Sequence, residues 1–150
     1  MDLILWRHAE AEAGEPDLGR RLTAKGIKQA ERVAAWLDGH LPDTTRVLVS
    51  PADRAQQTAL ALKRKFRVVP ELAPGAAPSA VLGVAGWPDS REPVLVVGHQ
   101  PTLGEVSALL LAGDALAWSM RKGAVWWLSN RVRDGNAAVV LKVAIGPDFV

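Results

Sequence analysis

Three short segments, Leu3-Ile4-Leu5-Trp6, Val47-Leu48-Val49 and Val94-Leu95-Val96-Val97, are apolar at every position, and each stops abruptly on polar, chemistry-bearing residues. A strand that is apolar on both faces needs cover on both faces, so these runs belong in a sheet held between two helical layers. The pattern predicts strands over 2–6, 46–50, 67–69 and 94–98. Helix-like segments lie between them: Thr23 to Gly39, 51–66, and 101–113. Residues 70–93, punctuated by Pro70, Pro74, Pro78, Pro88 and Pro93, read as loop with one short helix near 79–85. The segment 123–145 reads as a hairpin turning at Asp134-Gly135. Strand–helix alternation with a terminal hairpin predicts an α/β fold, a three-layer α/β/α sandwich around a mixed, mostly parallel sheet. No linker or repeat divides the chain, so residues 1–150 are expected to form a single domain with no lid domain.

Local signals refine this picture. Thr23 is a natural N-cap, and Ile27, Ala30, Val33 or Ala34, and Leu37 recur at helical spacing. Gly39 falls where a glycine stop would lie. Gly26 lowers helix propensity inside this segment, which points to close packing or close ligand approach. Pro51 suits the first turn of the next helix. Lys63-Arg64-Lys65 with Arg67 reads as that helix's solvated end. Trp126 and Trp127, adjacent on a strand, must face opposite sides of the sheet.

The formal net charge is only +2, and no long Lys/Arg run exists, so no nucleic-acid partner is expected. Cysteine is absent, which excludes disulfides and thiolate metal sites. No apolar stretch approaches the ~20 residues of a spanning helix, and the start of the chain does not read as a signal peptide. The expectation is a cytoplasmic monomer without a membrane partner.

In open α/β sheets, ligands gather outside the carboxyl ends of the strands. Arg7-His8 follows the first apolar strand, Ser50-Pro51-Ala52-Asp53-Arg54 the second, and Gly98-His99-Gln100-Pro101 the third. If the three are parallel neighbours, two arginines and two histidines converge. Guanidinium forks match phosphate oxygens, and a neutral imidazole nitrogen can attack phosphorus in line to give a covalent phosphohistidine. Cationic neighbours keep that imidazole unprotonated. Singly, each residue reads more blandly, as a surface charge or a satisfied structural group; coincidence at three strand ends is the signal. His40, beside Gly39 and Pro42, reads as a helix-end residue.

These residues lie in segments that resemble the histidine phosphatase superfamily. "LWRHAEA" is similar to its Arg-His-Gly motif, with Ala9 in place of glycine. "LTAKGIKQA", "VSPADRAQQTA" and "VVGHQPTL" are similar to its later segments, in the expected order. The short length and the wording around both histidines resemble the small SixA-type phosphohistidine phosphatases. The resemblance implies a phosphoglycerate mutase-like fold, with His8 as nucleophile. Arg7 and Arg54 would clamp the phosphoryl oxygens, and His99 would donate to them. Arg20, rather than Arg21, would be a further phosphate contact; either arginine could instead pair with Asp17 or Glu15. Alanine at position 9 needs a φ below zero there.

By position, Glu71 is the candidate general acid, with an exposed loop carboxylate as the plainer reading. Glu10, Glu12 and Asp53 read as partners that orient the arginines or as surface charges. No metal or cofactor is expected, since arginines around the histidines would repel a cation. The implied activity is phosphohistidine hydrolysis, with a phosphohistidine-bearing phosphotransfer domain as partner in signal transduction. The alternative is hydrolysis of small phosphomonoesters or acyl phosphates at the same site. Trp87 could sit on the rim of the site or in a satellite core, the latter being favoured.

Overall fold

The central strand of the molecule is also its first. In the computed structural model, which describes residues 1–150, β1 (Asp2–Arg7) pairs parallel with β4 (Val94–Gly98) on one side and antiparallel with β5 (Val125–Arg133) on the other. β2 (Arg46–Val49) lies beyond β4, β3 (Arg67–Val68) beyond β2, and β6 (Asn136–Ile145) outside β5, giving the order β3-β2-β4-β1-β5-β6. The first four strands of that order are mutually parallel, and the hairpin makes the sheet mixed.

Strand alternation divides the apolar runs between two cores. Ile4, Trp6, Val47, Val49, Leu95 and Val97 pack under α1 (Ala24–Asp38) and α2 (Asp53–Leu60). Leu3, Leu5, Leu48, Val94 and Val96 pack under α3 (Pro78–Ala85) and α4 (Thr102–Ala112). Each fully buried aliphatic side chain contributes about 1.5–3 kcal/mol, so this double coverage is what the wholly apolar strands serve. Trp127 joins the first core and Trp126 packs against the second, as adjacency on a strand requires. Trp87 packs against the second core. Asp134 and Gly135 both take positive φ, as the hairpin turn demands. No helix is long and apolar enough to cross a membrane.

The structure departs from the sequence reading in three places. α2 is shorter than 51–66: Pro51 lies before it rather than in its first turn, and Ala52 is its N-cap, because the Ser50 hydroxyl accepts from the Ala52 N–H and holds that turn outside the helix. The basic run lies past the end of α2 rather than on it. Lys63 adopts a left-handed φ of 57°, and Arg64 bonds Asp38 Oδ1 at 3.0 Å and the carbonyls of Leu41 and Pro42, tying the ends of α1 and α2 together. Ile27 is exposed; the buried stripe of α1 is Gly26, Ala30, Val33, Ala34 and Leu37.

Gly26 explains that rotation. Thr23 caps the helix by accepting from Gly26 N at 2.9 Å, and the first turn presses on the backbone of Glu10. A Cβ on Gly26 would stand 2.0 Å from the Glu10 carbonyl oxygen. In an exposed helix, glycine to alanine gains about 1 kcal/mol. Here the sign reverses: Gly26→Ala is expected to cost about 2 kcal/mol through overpacking, lowering the melting temperature by roughly 5 °C. A variant that melts at or above the parent temperature would contradict this close approach.

Candidate active site

β4 lies between β1 and β2, so the carboxyl ends of these three parallel strands are adjacent. Backbone bonds carry the alignment one residue beyond the strands. His8 N–H donates to Gly98 O at 3.0 Å, and Ser50 N–H donates to Val97 O at 3.0 Å. His8, Ser50 and His99 therefore leave the sheet side by side, and α2 begins at once to bring Arg54 over them. All four are buried.

The hydrogen bonds set the tautomers. His8 Nδ1 lies 2.7 Å from Ala9 O; a carbonyl only accepts, so Nδ1 carries the proton and Nε2 keeps its lone pair. Arg54 Nε–H approaches that Nε2 at 3.3 Å. The His99 ring lies 5.1 Å from the His8 ring. Its Nε2 is 2.7 Å from Ser50 Oγ, and its Nδ1 is 3.4 Å from Arg54 Nη2. The Ser50 hydroxyl can accept from or donate to Nε2, so His99 can present Nδ1 as acceptor to a guanidinium or as donor to an oxyanion. Ser50 was part of the quoted strand-end motif, but nothing in the sequence assigned it this orienting work.

Burial pushes the His8 imidazole down to about 4; the Ala9 bond opposes it, and the charges of Arg54, Arg7 and Arg20 add to the lowering. Burial first, with His8, Arg54 and Arg7 adding to it and Asp17 opposing, takes His99 down to about 3. Both rings are thus neutral near pH 7. Both folded values lie below the ordinary histidine value near 6.5, so the unfolded chain takes up protons first. The stability they contribute is fully present above about pH 6.5 and is lost as pH falls from there toward 4. The loss is on the order of 3 kcal/mol for His8 alone. Nitrogen-edited NMR at pH 5.5 is expected to show both rings still neutral; a protonated His8 in the free protein would refute the electrostatic picture.

Arg7 Nη1 donates to Met120 O at 2.8 Å, while its Nε is buried without a protein partner. Arg54 Nη1 donates to Asp17 O at 2.8 Å, and Nη2 pairs with Asp17 Oδ2 at 3.3 Å. Arg20 Nε meets Asp17 Oδ1 at 3.1 Å. The Asp17 carboxylate thus bridges Arg54 and Arg20. Desolvation raises its proton affinity, but the charges and hydrogen bonds of Arg54 and Arg20 together outweigh that and hold it below the ordinary carboxylate range. Arg20 is brought to the site through this bridge. Arg21 is exposed and its side chain makes no hydrogen bond or ion pair. Thr58 Oγ1 donates to Arg54 O at 2.8 Å and accepts from Ala9 N at 3.1 Å, joining α2 to the segment after β1. Ala9 is fully buried and is not among the residues with positive φ, so alanine is accommodated without strain.

The carboxylates expected near the arginines are elsewhere. Glu10 accepts from Thr23 Oγ1 at 2.8 Å, and neither Glu12 nor Asp53 makes a side-chain contact with an arginine; Asp17 performs that orienting role instead. Its position in an irregular stretch gave no periodic signal. Glu71 lies exposed in a 3-10 turn, Pro70–Leu72, after the edge strand β3, with no side-chain hydrogen bond. His40 stacks on Trp36 at 4.4 Å and bonds the Trp36 carbonyl, a helix-end arrangement remote from this chemistry. No group of three His, Cys, Asp or Glu side chains is placed to hold a metal ion.

A pair of neutral imidazoles ringed by guanidinium donors suits a tetrahedral oxyanion, with a lone pair available for attack. Comparison with known proteins agrees. The family model of the histidine phosphatase superfamily, branch 1, matches residues 3–76. A phosphohistidine phosphatase SixA homolog of Haemophilus influenzae is 36% identical over 126 residues, covering 73% of this chain and 77% of that protein. The phosphohistidine phosphatase SixA of Escherichia coli K12 is 33% identical, covering 76% of each. The solved structure of a protein histidine phosphatase SixA complexed with tungstate superposes with a TM-score of 0.78 at 25% identity, over 99% of both chains. With most of its length shared at this level of identity, and with the motif residues gathered in space as well as in order, the chain belongs to the histidine phosphatase superfamily.

Proposed function

We propose that the protein is a phosphohistidine phosphatase that works through a covalent phospho-His8 intermediate. The observation that carries the reading is the His8 ring itself: Nδ1 is committed to the Ala9 carbonyl, and the unprotonated Nε2 faces Arg54 and His99. Nε2 attacks phosphorus, the P–N bond of the substrate breaks, and its imidazole departs with a proton on the ring. Water then attacks the phospho-His8, the Nε2–P bond breaks, and inorganic phosphate leaves. Arg7, Arg54 and Arg20 stabilise charge on the equatorial oxygens in both steps, and His99 donates from the opposite side. That a similar SixA structure binds tungstate, itself a tetrahedral oxyanion, supports this use of the pocket.

An imidazole leaving group needs less protonation help than an alkoxide, so the reading asks little of Glu71. All the residues invoked come from one chain, so a monomer suffices. The partner in this reading is a phosphohistidine-bearing phosphotransfer domain of a cytoplasmic signalling relay; the names of the curated relatives support its phosphohistidine part. The test is phosphate release from a phosphorylated phosphotransfer domain beside a phosphoserine peptide and a sugar phosphate. Release from phosphohistidine alone is expected. Release from the small ester alone would transfer the function to metabolite dephosphorylation.

A further inference from the structure

A cleft of about 870 Å³ opens directly beside the phosphoryl site and shares Arg7 with it. Its walls are the first two turns of α1, the 119–124 loop, and the segment 144–149 that ends β6 and follows it. All three are tied to the nucleophile segment. Trp6 Nε1–H donates to Gly123 O at 3.2 Å, Arg7 N–H to Ala124 O at 3.0 Å, and Gly123 N–H to His8 O at 3.0 Å. Thr23 N–H, at the α1 cap, donates to Glu10 O at 3.0 Å. Pro147 packs so closely that a Cβ on Gly123 would stand 2.9 Å from its ring. Whatever occupies the cleft is therefore held in fixed relation to His8.

The lining has a definite chemistry. Lys25, Arg121 and Lys122 are exposed on its walls and none makes an ion pair or side-chain hydrogen bond. The opposing carboxylates are Asp148 and Glu10, and Glu10 already accepts from Thr23 Oγ1. Trp126 and Phe149 supply apolar surface, and Phe149 is 82% exposed. The phosphoryl pocket proper, by contrast, centres on the buried His8, Arg54 and His99 with the half-buried Arg7 and Arg20, and has no need of these cations.

Resting on the phosphohistidine reading above, we propose that this cleft is the docking subsite for the protein that bears the phosphohistidine. It takes an acidic surface with an apolar side chain, flanking the phosphorylated residue. Asp and Glu side chains pair with Arg121, Lys122 and Lys25, and the apolar one covers Phe149 and Trp126. Rim charges of this kind govern encounter rate and salt dependence more than chemistry.

The experiment compares two substrates with the same scissile P–N bond: a phosphorylated histidine phosphotransfer domain, and free N-phosphohistidine. The double variant Arg121→Glu with Lys122→Glu is expected to lose at least about 30-fold in kcat/KM on the domain, and its dependence on salt should flatten. On free N-phosphohistidine it should change less than about 3-fold. A neutral pair, Arg121→Gln with Lys122→Gln, should give an intermediate loss on the domain and guards against misfolding of the reversed pair. Equal activity of parent and variants on the domain would overturn the subsite while leaving the phosphatase reading intact. A matched loss on both substrates would also overturn it, since the cations would then act on the chemistry. A parent protein inactive on both substrates would remove the phosphohistidine reading and the subsite with it.

Discussion

His8→Ala is expected to lower kcat on a phosphohistidine substrate by at least about 10⁴-fold, leaving only what binding and the arginines supply to direct attack by water. Folding should survive, since the side chain makes only two hydrogen bonds, to the neighbouring Ala9 carbonyl and from Arg54 Nε. The stronger part of the expectation concerns the atom. Nδ1 is committed to Ala9 O at 2.7 Å, so the trapped intermediate should carry phosphate on Nε2, and acid quenching should discharge it while alkali should not. Rapid quench followed by phospho-amino-acid analysis reads this directly. Phosphate on Nδ1, or a variant within tenfold of the parent, would show that His8 is not the nucleophile in the geometry described.

Arg54→Lys should be nearly as damaging, at about 10³-fold in kcat/KM, although it conserves charge. Arg54 is buried and uses its planar fork in three directions: Nε to His8 Nε2, Nη2 to His99 Nδ1, and Nη1 with Nη2 to Asp17. A lysine ammonium is a single point charge on a flexible stem and cannot hold those partners together or bind two phosphoryl oxygens in one plane. Loss of a preorganised donor set of this kind ordinarily costs about 10²–10³-fold for each donor removed. Steady-state kinetics with circular dichroism as a folding control would decide. A drop under fivefold would mean that positive charge alone, not the fork, is what the site requires.

Much of this site was legible in the sequence because its principal residues sit where periodic signals end. A wholly apolar strand announces itself, and the residue after it must leave the sheet; His8 and His99 are found by that rule, and Arg54 by its place in the first turn of the following helix. The fold class followed from the same strands. What escaped lay in segments without period. The pairing of Asp17 with Arg20 was open to the sequence, but its reach to Arg54, 37 residues away, comes only with folding. Ser50 looked like part of a turn, and its bond to His99 spans 49 residues of sequence. Ile27 was misplaced because apolar spacing cannot register a backbone pressing on the helix; glycine, with no side chain to count, held the buried position. The end of α2 was overrun because a basic run after a helix looks like more helix, whereas Lys63 turns left-handed and Arg64 folds back to Asp38.

The placement of the two histidines has a consequence for how the enzyme would fail. β1 and β4, whose last residues directly precede them, have Leu3 to Trp6 and Val94 to Val97 with no exposed surface at all, and both strands are paired on each side. Amide groups in such segments exchange with solvent only through the largest openings of a protein, often through complete unfolding. The imidazoles of His8 and His99 therefore ride on the part of the molecule that is last to come apart, so heat is expected not to produce a folded but inactive form, and residual activity becomes a gauge of the folded fraction.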